Sequence, residues 1–262
     1  MAALEILQFP CLNDNYGVLI HDWAAGVTAS IDAPEEGAVR ETLRGAGYKL
    51  THIFTTHHHH DHVGGHLGLK RETGCKIYGP AQSADSIPGI DETVKDGDVI
   101  PFGSFEVHVL ETPGHTREAA TYYIPDAVAP GTGVVFTGDT LFSVACGRLF
   151  EGTPAQMWHS LQKIAALPAS TLVYCGHEYT QSNIRFALAV EPSNEALHKR
   201  KAEVDELRAQ GKPTLPVPLG TELATNPFLR LDSPEVRQRL GFGPDAPAAE
   251  VFGQLRRRKD TF

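Results

Sequence analysis

The stretch of sequence that decides the fold is Thr56-His57-His58-His59-His60-Asp61-His62, which holds five of the thirteen histidines of the chain. It directly follows an apolar stretch that is typical of a buried strand, and it runs into a glycine turn that opens a predicted helix. Alternate side chains of an extended segment share a face, so His57 and His59 are predicted to point together into one pocket. Asp61 and His62 lie where the strand is predicted to bend into the helix, and their side chains are predicted to point into the same space from a different direction. Such a group suits zinc, iron or manganese.

A surface tract of histidines is the alternative interpretation of this run. Histidine tracts can bind metal without catalysing a reaction, but they usually lie in termini or linkers. Here the run lies between the predicted core strand, residues 52–55, and the turn at Gly64 and Gly65. We therefore predict a metal site inside the folded domain. His58 and His60 are predicted to face solvent or to support the ligands rather than bind metal.

Three later positions carry a lone histidine or aspartate directly after a predicted strand. A single such residue is weak evidence for a site, but α/β folds build their sites at strand ends, and all three positions agree with the first run. The Pro-Gly turn before the first of them also fixes the direction of its side chain. The three candidates are His115 after residues 105–110, Asp139 after residues 133–137, and His177 after residues 171–175.

Short motifs along the whole chain are similar to those of one enzyme family. They are LNDNY at residues 12–16, TPGHT at 112–116, GDTLF at 138–142, CGR at 146–148, GHEYT at 176–180, NPFLR at 226–230 and RRRKD at 256–260. HxHxDH at residues 57–62, followed by His115, Asp139 and His177, is the pattern of the metallo-β-lactamase-fold superfamily. Within it the chain resembles glyoxalase II, the hydroxyacylglutathione hydrolases, from end to end, and GHEYT, NPFLR and RRxKD are the distinguishing elements.

The organisation of the chain changes near residue 178. Short strands and glycine or proline turns precede it, and helical patterns follow it. We predict an α/β catalytic domain at residues 1–177 and an α-helical substrate-binding domain at 178–262. The resemblance implies a four-layer αββα sandwich, with the metals at one edge of the two sheets. The individual helices are predicted at about 35–46, 62–72, 154–166 and 178–190, then from the cap residues 193–195 to about Gln210, and finally from near Pro247 behind Asp245 as cap.

The resemblance also implies a binuclear metal centre and a set of catalytic residues. Two divalent ions are expected in each chain, with zinc as the first choice and iron or manganese as alternatives. One ion is expected on His57, His59 and His115. The other is expected on Asp61, His62 and His177. Asp139 has two carboxylate oxygens and can bridge both ions, and Asp61 can move a proton.

The basic end of the chain is the second informative feature. Charge runs are usually solvated helix faces, but Arg256 and Lys259 are neighbours at i, i+3 on the final predicted helix, and two cations suit a carboxylate. The resemblance implies that glutathione is bound by Arg148, Tyr179, Arg256 and Lys259. The family often has tyrosine where this chain has Phe150, and commonly lysine where it has Arg148.

The expected reaction is hydrolysis of the thioester S-D-lactoylglutathione to D-lactate and glutathione, a step of methylglyoxal detoxification, by hydroxide held at the two metals. One alternative on the same fold is a mononuclear-iron glutathione-persulfide dioxygenase, which is expected to have fewer ligands and no NPFLR or RRxKD element. A lactonase and a metal-binding scaffold without turnover are further alternatives. The complete ligand set and the basic end favour the thioester hydrolase.

Composition excludes several other classes of protein. A net charge of −9 argues against a nucleic-acid binder. The first residues lack a basic region and a continuous apolar core, so no signal peptide is predicted, and no apolar stretch is long enough to span a bilayer. The four cysteines are scattered, which favours reduced and buried thiols. We expect a cytoplasmic monomer whose partner is a small glutathione thioester.

Overall fold

The computed structural model describes residues 3–262, which form two compact units. The first unit comprises the chain up to Glu111 together with Glu118–Gly138. The second unit comprises Thr112–Arg117 and Asp139–Phe262. Each unit is therefore discontinuous in sequence.

The first unit contains a mixed six-stranded sheet whose strands follow each other in chain order. Its first three strands pair antiparallel and the remaining three pair parallel. A second, antiparallel run of four strands completes the unit. The elements are β1 (Glu5–Cys11), β2 (Asn15–Asp22), β3 (Val27–Ile31), α1 (Glu36–Ala46), β4 (His52–Phe54), α2 (His60–Val63), α3 (His66–Thr73), β5 (Lys76–Pro80), a 3₁₀ helix (Ala81–Ser86), β6 (Glu92–Val94), β7 (Val99–Phe102), β8 (Phe105–Glu111), β9 (Ala120–Ala129) and β10 (Thr132–Phe136).

The short strand β4 lies inside the first sheet, and the histidine run follows its carboxyl end. It pairs parallel with β3 on one side and with β5 on the other, so it is covered by neighbours along its whole length. Val39 and Leu43 of α1 pack with Leu69 of α3 in a buried cluster that also contains Ile53 of β4. The strand is held by β3 and β5 on its two sides and by α1 and α3 on one face. The direction in which the chain leaves it towards His57 is therefore fixed as well.

The second unit is mainly helical. Its strands form two antiparallel pairs, β11 with β12 and β13 with β14. A capping box between Thr153 and Gln156 starts the first helix, and the side chain of Asn194 caps a later one. The elements are β11 (Leu141–Phe142), β12 (Ala145–Cys146), α4 (Pro154–Ala165), β13 (Leu172–Tyr174), α5 (Thr180–Val190), α6 (Glu195–Ala209), β14 (Val217–Pro218), α7 (Leu219–Thr225), α8 (Pro234–Leu240) and α9 (Ala248–Asp260).

The predicted helices are confirmed except in two details. The helix expected over residues 62–72 is two helices, α2 and α3, separated by two glycines. A Cβ on Gly64 would lie 2.9 Å from the carbonyl oxygen of Pro34, so the close approach of the β3–α1 loop requires glycine there. Asp245 was wrongly expected to cap α9. The cap residue is Pro247, without a side-chain bond, because the preceding residues close a turn of their own at Ala246.

No helix within residues 3–262 is both long enough and apolar enough to cross a membrane.

Candidate metal centre and substrate cavity

The histidine run of the first unit converges as its alternation predicts. Nε2 of His57 lies 3.1 Å from Nδ1 of His59, and the rings of His57 and His62 are 4.1 Å apart. His57 and His62 are each only 1% exposed. His60 is exposed, as expected for a residue outside the ligand set, and His58 is half-buried.

A buried carboxylate behind the run fixes which ring nitrogen of two histidines carries the proton. Asp32 accepts hydrogen bonds from the backbone N–H of Thr56 at 2.6 Å, from Oγ1 of Thr56 at 2.8 Å and from Nδ1 of His62 at 2.7 Å. Because Thr56 donates its one hydroxyl proton to Asp32, its oxygen must accept from Nδ1 of His57, 3.0 Å away. Both histidines therefore carry the proton on Nδ1. Their Nε2 lone pairs fit a metal ion.

Asp61 is oriented by a residue of the LNDNY motif. The buried side-chain amide of Asn15 donates to Oδ2 of Asp61 and to its carbonyl oxygen, each at 3.1 Å. Oδ2 of Asp61 also lies 3.7 Å from Nε2 of His62, and the Asp61 side chain is 41% exposed. The carboxylate is thus held in one direction but remains in contact with solvent, which suits a group that exchanges protons.

The three candidates of the second unit meet at one carboxylate oxygen. Oδ2 of Asp139 lies 3.4 Å from Nε2 of His115 and 3.4 Å from Nε2 of His177. Nδ1 of His115 donates to the carbonyl oxygen of Arg148 at 2.9 Å, which leaves its Nε2 as an acceptor. The distances to Asp139 exceed the roughly 2.8 Å of a charge-assisted hydrogen bond. This donor set fits a carboxylate that shares cations with two neutral imidazoles.

A cavity of about 490 Å³ opens beside these residues in the second unit. All four residues that the resemblance linked to glutathione line it, so the structure brings the expected contacts together with two expected metal ligands. The lining residues are His115, Asp139, Phe142, Cys146, Arg148, Phe150, Tyr179, Ser182, Asn183, Arg256 and Lys259.

The cationic side of the cavity is built on α9. Arg256 is 4% exposed and donates to the carbonyl oxygen of Cys146 at 2.8 Å, and its Nε and Nη2 donate to Asp260 at 3.0 and 2.9 Å. Burial, together with the neighbouring charge of Arg256, lowers the pKa of Lys259 to about 8. Arg148 is the most exposed cation of the group, with 65% of its side chain accessible. Three cations with different degrees of solvent exposure therefore line the same cavity.

Aromatic rings form the other side of the cavity. The ring of Tyr179 stacks on the ring of His177 at 4.8 Å, nearly parallel. Phe142 meets both rings with its edge. Phe150 is 62% exposed and its ring lies 5.2 Å from that of His115. The residue that replaces the family's usual tyrosine thus adjoins a candidate metal ligand.

Comparison with known proteins places the chain in a family. The model for the hydroxyacylglutathione hydrolase C-terminus matches residues 178–262, and the model for the metallo-beta-lactamase superfamily matches residues 25–177. The hydroxyacylglutathione hydrolase of Brucella anthropi is 56% identical over 259 residues, which is 99% of this chain and 97% of the relative. The one of Brucella ovis is 55% identical and covers 99% and 98%. The chain belongs to the hydroxyacylglutathione hydrolase family.

Membership of the hydroxyacylglutathione hydrolase family confirms the predicted fold and enzyme class. ETHE1 from Myxococcus xanthus superimposes with a TM-score of 0.66 at 25% identity and covers 99% of both chains. The α/β metallo-β-lactamase fold with a helical C-terminal region is therefore correct, and so is the prediction of a thiolester hydrolase. The superfamily and the groups of His and Asp side chains support binding of divalent metal.

The sequence did not predict three residues of the site in this member of the hydroxyacylglutathione hydrolase family. Asp32 follows the apolar strand β3, so the strand-end argument that found Asp139 also applied to it. Asn183 lines the cavity one helical turn after Tyr179, and that i, i+4 spacing was the available signal. Phe142 gave no signal of its own, because an apolar residue next to a metal motif is usually part of the core.

Proposed function

We propose that the chain hydrolyses S-D-lactoylglutathione to D-lactate and glutathione. The observation that carries this proposal is the cavity in which His115 and Asp139 adjoin three cations. Glutathione carries two carboxylates, and a cationic patch on a protein with a net charge of −9 attracts such an anion locally. The relatives named hydroxyacylglutathione hydrolase support the same reaction.

We propose that two divalent ions occupy the site, with zinc as the first choice and iron or manganese as alternatives. His57, His59 and His115 would hold one ion, Asp61, His62 and His177 the other, and Asp139 both. When bound, such a pair of ions supplies hydroxide at neutral pH, because it lowers the pKa of a shared water from about 15.7 towards 7. The Nδ1 protonation enforced by Asp32 supports the assignment of His57 and His62.

The side chains of the protein then bind and orient the substrate and move protons. Arg148, Arg256 and Lys259 bind the carboxylates of the glutathione portion, and the hydroxyl of Tyr179 contacts its peptide. Asp61, held by Asn15 and open to solvent, moves a proton between the site and water. The departing group is a thiolate whose parent thiol has a pKa of about 8.5, so it leaves without a strong general acid.

The direct test is the release of free thiol from S-D-lactoylglutathione by zinc-loaded protein. We expect saturable release that is abolished by a chelator and restored by added zinc. Protein that holds two metal ions and releases no thiol would contradict the proposed function. Oxygen uptake with a glutathione persulfide, or turnover of a lactone, would then identify which alternative on this fold applies.

The lowered pKa of Lys259 predicts that substrate binding weakens as the pH rises. With a pKa of about 8, the side chain is an ammonium at pH 7 and mostly neutral at pH 9, where the cation is about tenfold less abundant. We therefore expect KM for the thioester to rise severalfold between pH 7 and pH 9. Initial rates corrected for spontaneous hydrolysis measure this change.

Lys259→Arg is the matched control for this pH dependence. Arginine keeps its charge throughout the range, so its KM should stay nearly constant between pH 7 and pH 9. An equal rise of KM in both proteins would rule out Lys259 as the titrating group. The charged groups that influence Lys259 are Arg148, Arg256 and Asp260, and the thiol of Cys146 is a further titratable neighbour.

We propose a cytoplasmic monomer that needs no protein, nucleic-acid or membrane partner for turnover. The free and buried thiols of Cys11, Cys75, Cys146 and Cys175 support a reducing compartment. Burial raises the pKa of the Cys175 thiol to about 12 and that of Cys146 to about 11, so neither is a reactive thiolate at neutral pH.

A further inference from the structure

The hairpin β11–β12 has a turn whose conformation its own sequence does not favour. The hairpin forms part of the cavity wall, to which it contributes Phe142 and Cys146. Its two turn residues are Ser143 and Val144, and Val144 has a φ of 61°. A β-branched residue in the left-handed region is strained and persists only where surrounding groups enforce it. The reason for the conformation must therefore lie outside the hairpin.

One enforcing group is the carboxylate of Glu222 on α7, which is 0% exposed. Oε2 accepts from the backbone N–H of Val144 at 2.8 Å, and Oε1 accepts from the hydroxyl of Ser143 at 2.8 Å. Both turn residues are thus bound by one side chain that lies 78 or 79 positions later in the chain. The carboxylate holds the strained amide in place.

The second enforcing group is Asn226, the first residue of the NPFLR motif, which is also 0% exposed. Its amide nitrogen donates to the carbonyl oxygen of Ala145 at 2.9 Å and to that of Phe142 at 3.3 Å, and it lies 3.0 Å from Oε2 of Glu222. The two carbonyl groups flank the turn. Glu222 and Asn226 therefore bind the turn and both of its ends as one buried network.

The NPFLR motif also contacts Arg256, the cation that binds the last residue of the hairpin. The guanidinium of Arg256 lies over the ring of Phe228 at 5.2 Å, and it binds the carbonyl oxygen of Cys146. Phe228 in turn donates its backbone N–H to the side chain of Asn226 at 3.0 Å. The NPFLR segment thus connects the strained turn to a cation of the cavity.

We propose that Glu222 and Asn226 are positioning residues for the glutathione end of the substrate. Neither is among the residues that line the cavity, so they act through the hairpin that carries Phe142 and Cys146. This inference rests on the proposed function, because it takes the cavity to be the site of glutathione. It gives the NPFLR motif a role in substrate binding rather than in the chemical step.

The test is Glu222→Met, which keeps the approximate length of the side chain and removes both carboxylate oxygens. We expect KM for S-D-lactoylglutathione to rise about tenfold while kcat stays within about threefold, because hydrogen bonds that shape the cavity are lost while the candidate ligands stay in place. Calorimetric binding of S-methylglutathione to the zinc-loaded protein should weaken by the same factor. Urea unfolding of each variant measures the accompanying loss of stability.

Two matched variants separate positioning from general destabilisation. Glu222→Gln retains one carbonyl oxygen for Val144 and can donate to the hydroxyl of Ser143, so it should bind S-methylglutathione within about twofold of the wild type. Asp22 is 2% exposed and accepts the backbone N–H groups of Ala24 and Ser104 in the first unit, and neither it nor these partners line the cavity. Asp22→Leu should therefore lose stability without a change of KM.

The outcomes distinguish this inference from the proposed function. Wild-type protein that neither binds S-methylglutathione nor hydrolyses the thioester overturns the proposed function. A wild-type protein that does both, with Glu222→Met changed only in stability or only in kcat, overturns the positioning role alone. If Glu222→Met does not fold, Asn226→Ala provides the same test, since it removes the bonds to Phe142 and Ala145 but keeps the carboxylate.

Discussion

Asp139→Asn is expected to lower kcat by at least about a hundredfold and to reduce the metal content of the purified protein. Oδ2 of Asp139 lies 3.4 Å from the Nε2 atoms of both His115 and His177. The amide has the same shape but no charge, so it cannot neutralise two cations, and it offers one acceptor oxygen where the carboxylate offers two. Steady-state kinetics together with metal analysis by mass spectrometry measure both effects.

Asp205→Asn is the control for the loss of one negative charge in the same unit. Asp205 pairs with Lys201 on the surface of α6, so its replacement should leave kcat and metal content within about twofold. Near-normal turnover of Asp139→Asn with a full complement of metal would contradict the bridging role.

The second large effect is expected from Asp32→Asn. Asp32 is not a candidate metal ligand itself, but it binds the candidate ligand His62. The amide would present a donor where Thr56 and His62 now donate, so His62 would be driven to carry its proton on Nε2 instead of Nδ1. That change removes the lone pair that faces the metal. We expect zinc affinity to fall about 10- to 100-fold, as measured by competition with a chromophoric chelator.

Asp22→Asn is a closely matched control for this variant. Asp22 is also a buried carboxylate of the first unit, and it accepts backbone N–H groups at Ala24 and Ser104 rather than a candidate ligand. Its replacement should cost stability but leave zinc affinity unchanged. Thr56→Ser should preserve affinity and Thr56→Val should lower it, because only serine keeps the hydroxyl between Asp32 and His57. Equal zinc affinity in all four variants would refute the role of Asp32.

The parts of the site that the sequence predicted well are those set by local chain geometry. Alternation along an extended segment predicted that His57 and His59 converge, and the Pro-Gly turn predicted a fixed direction for His115. Helix positions followed from apolar spacing, which is also local. The predicted contacts of Arg148 and Tyr179 came from resemblance, and the structure places both at one cavity.

The parts that were not predicted depend on contacts between distant residues. Asp32 acts through partners 24 and 30 positions away, and Glu222 acts through partners 78 and 79 positions away. A pattern within a short window carries no information about such pairs. The local sequence even disfavours the turn at Val144, since glycine rather than valine is favoured at positive φ.

The hydrogen bonds of the hairpin have a consequence for how this enzyme could have been assembled in evolution. The hairpin belongs to the stretch matched by the superfamily model, whereas Glu222, Asn226 and Arg256 belong to the stretch matched by the C-terminal model. A gene fusion that joined an unrelated tail at residue 178 would leave the Val144 turn without its acceptor. A tail transferred alone would bury a carboxylate without its donors. The two sequence modules are therefore expected to be inherited together, and chimaeras that exchange them should bind the thioester normally only when the hairpin moves with the tail.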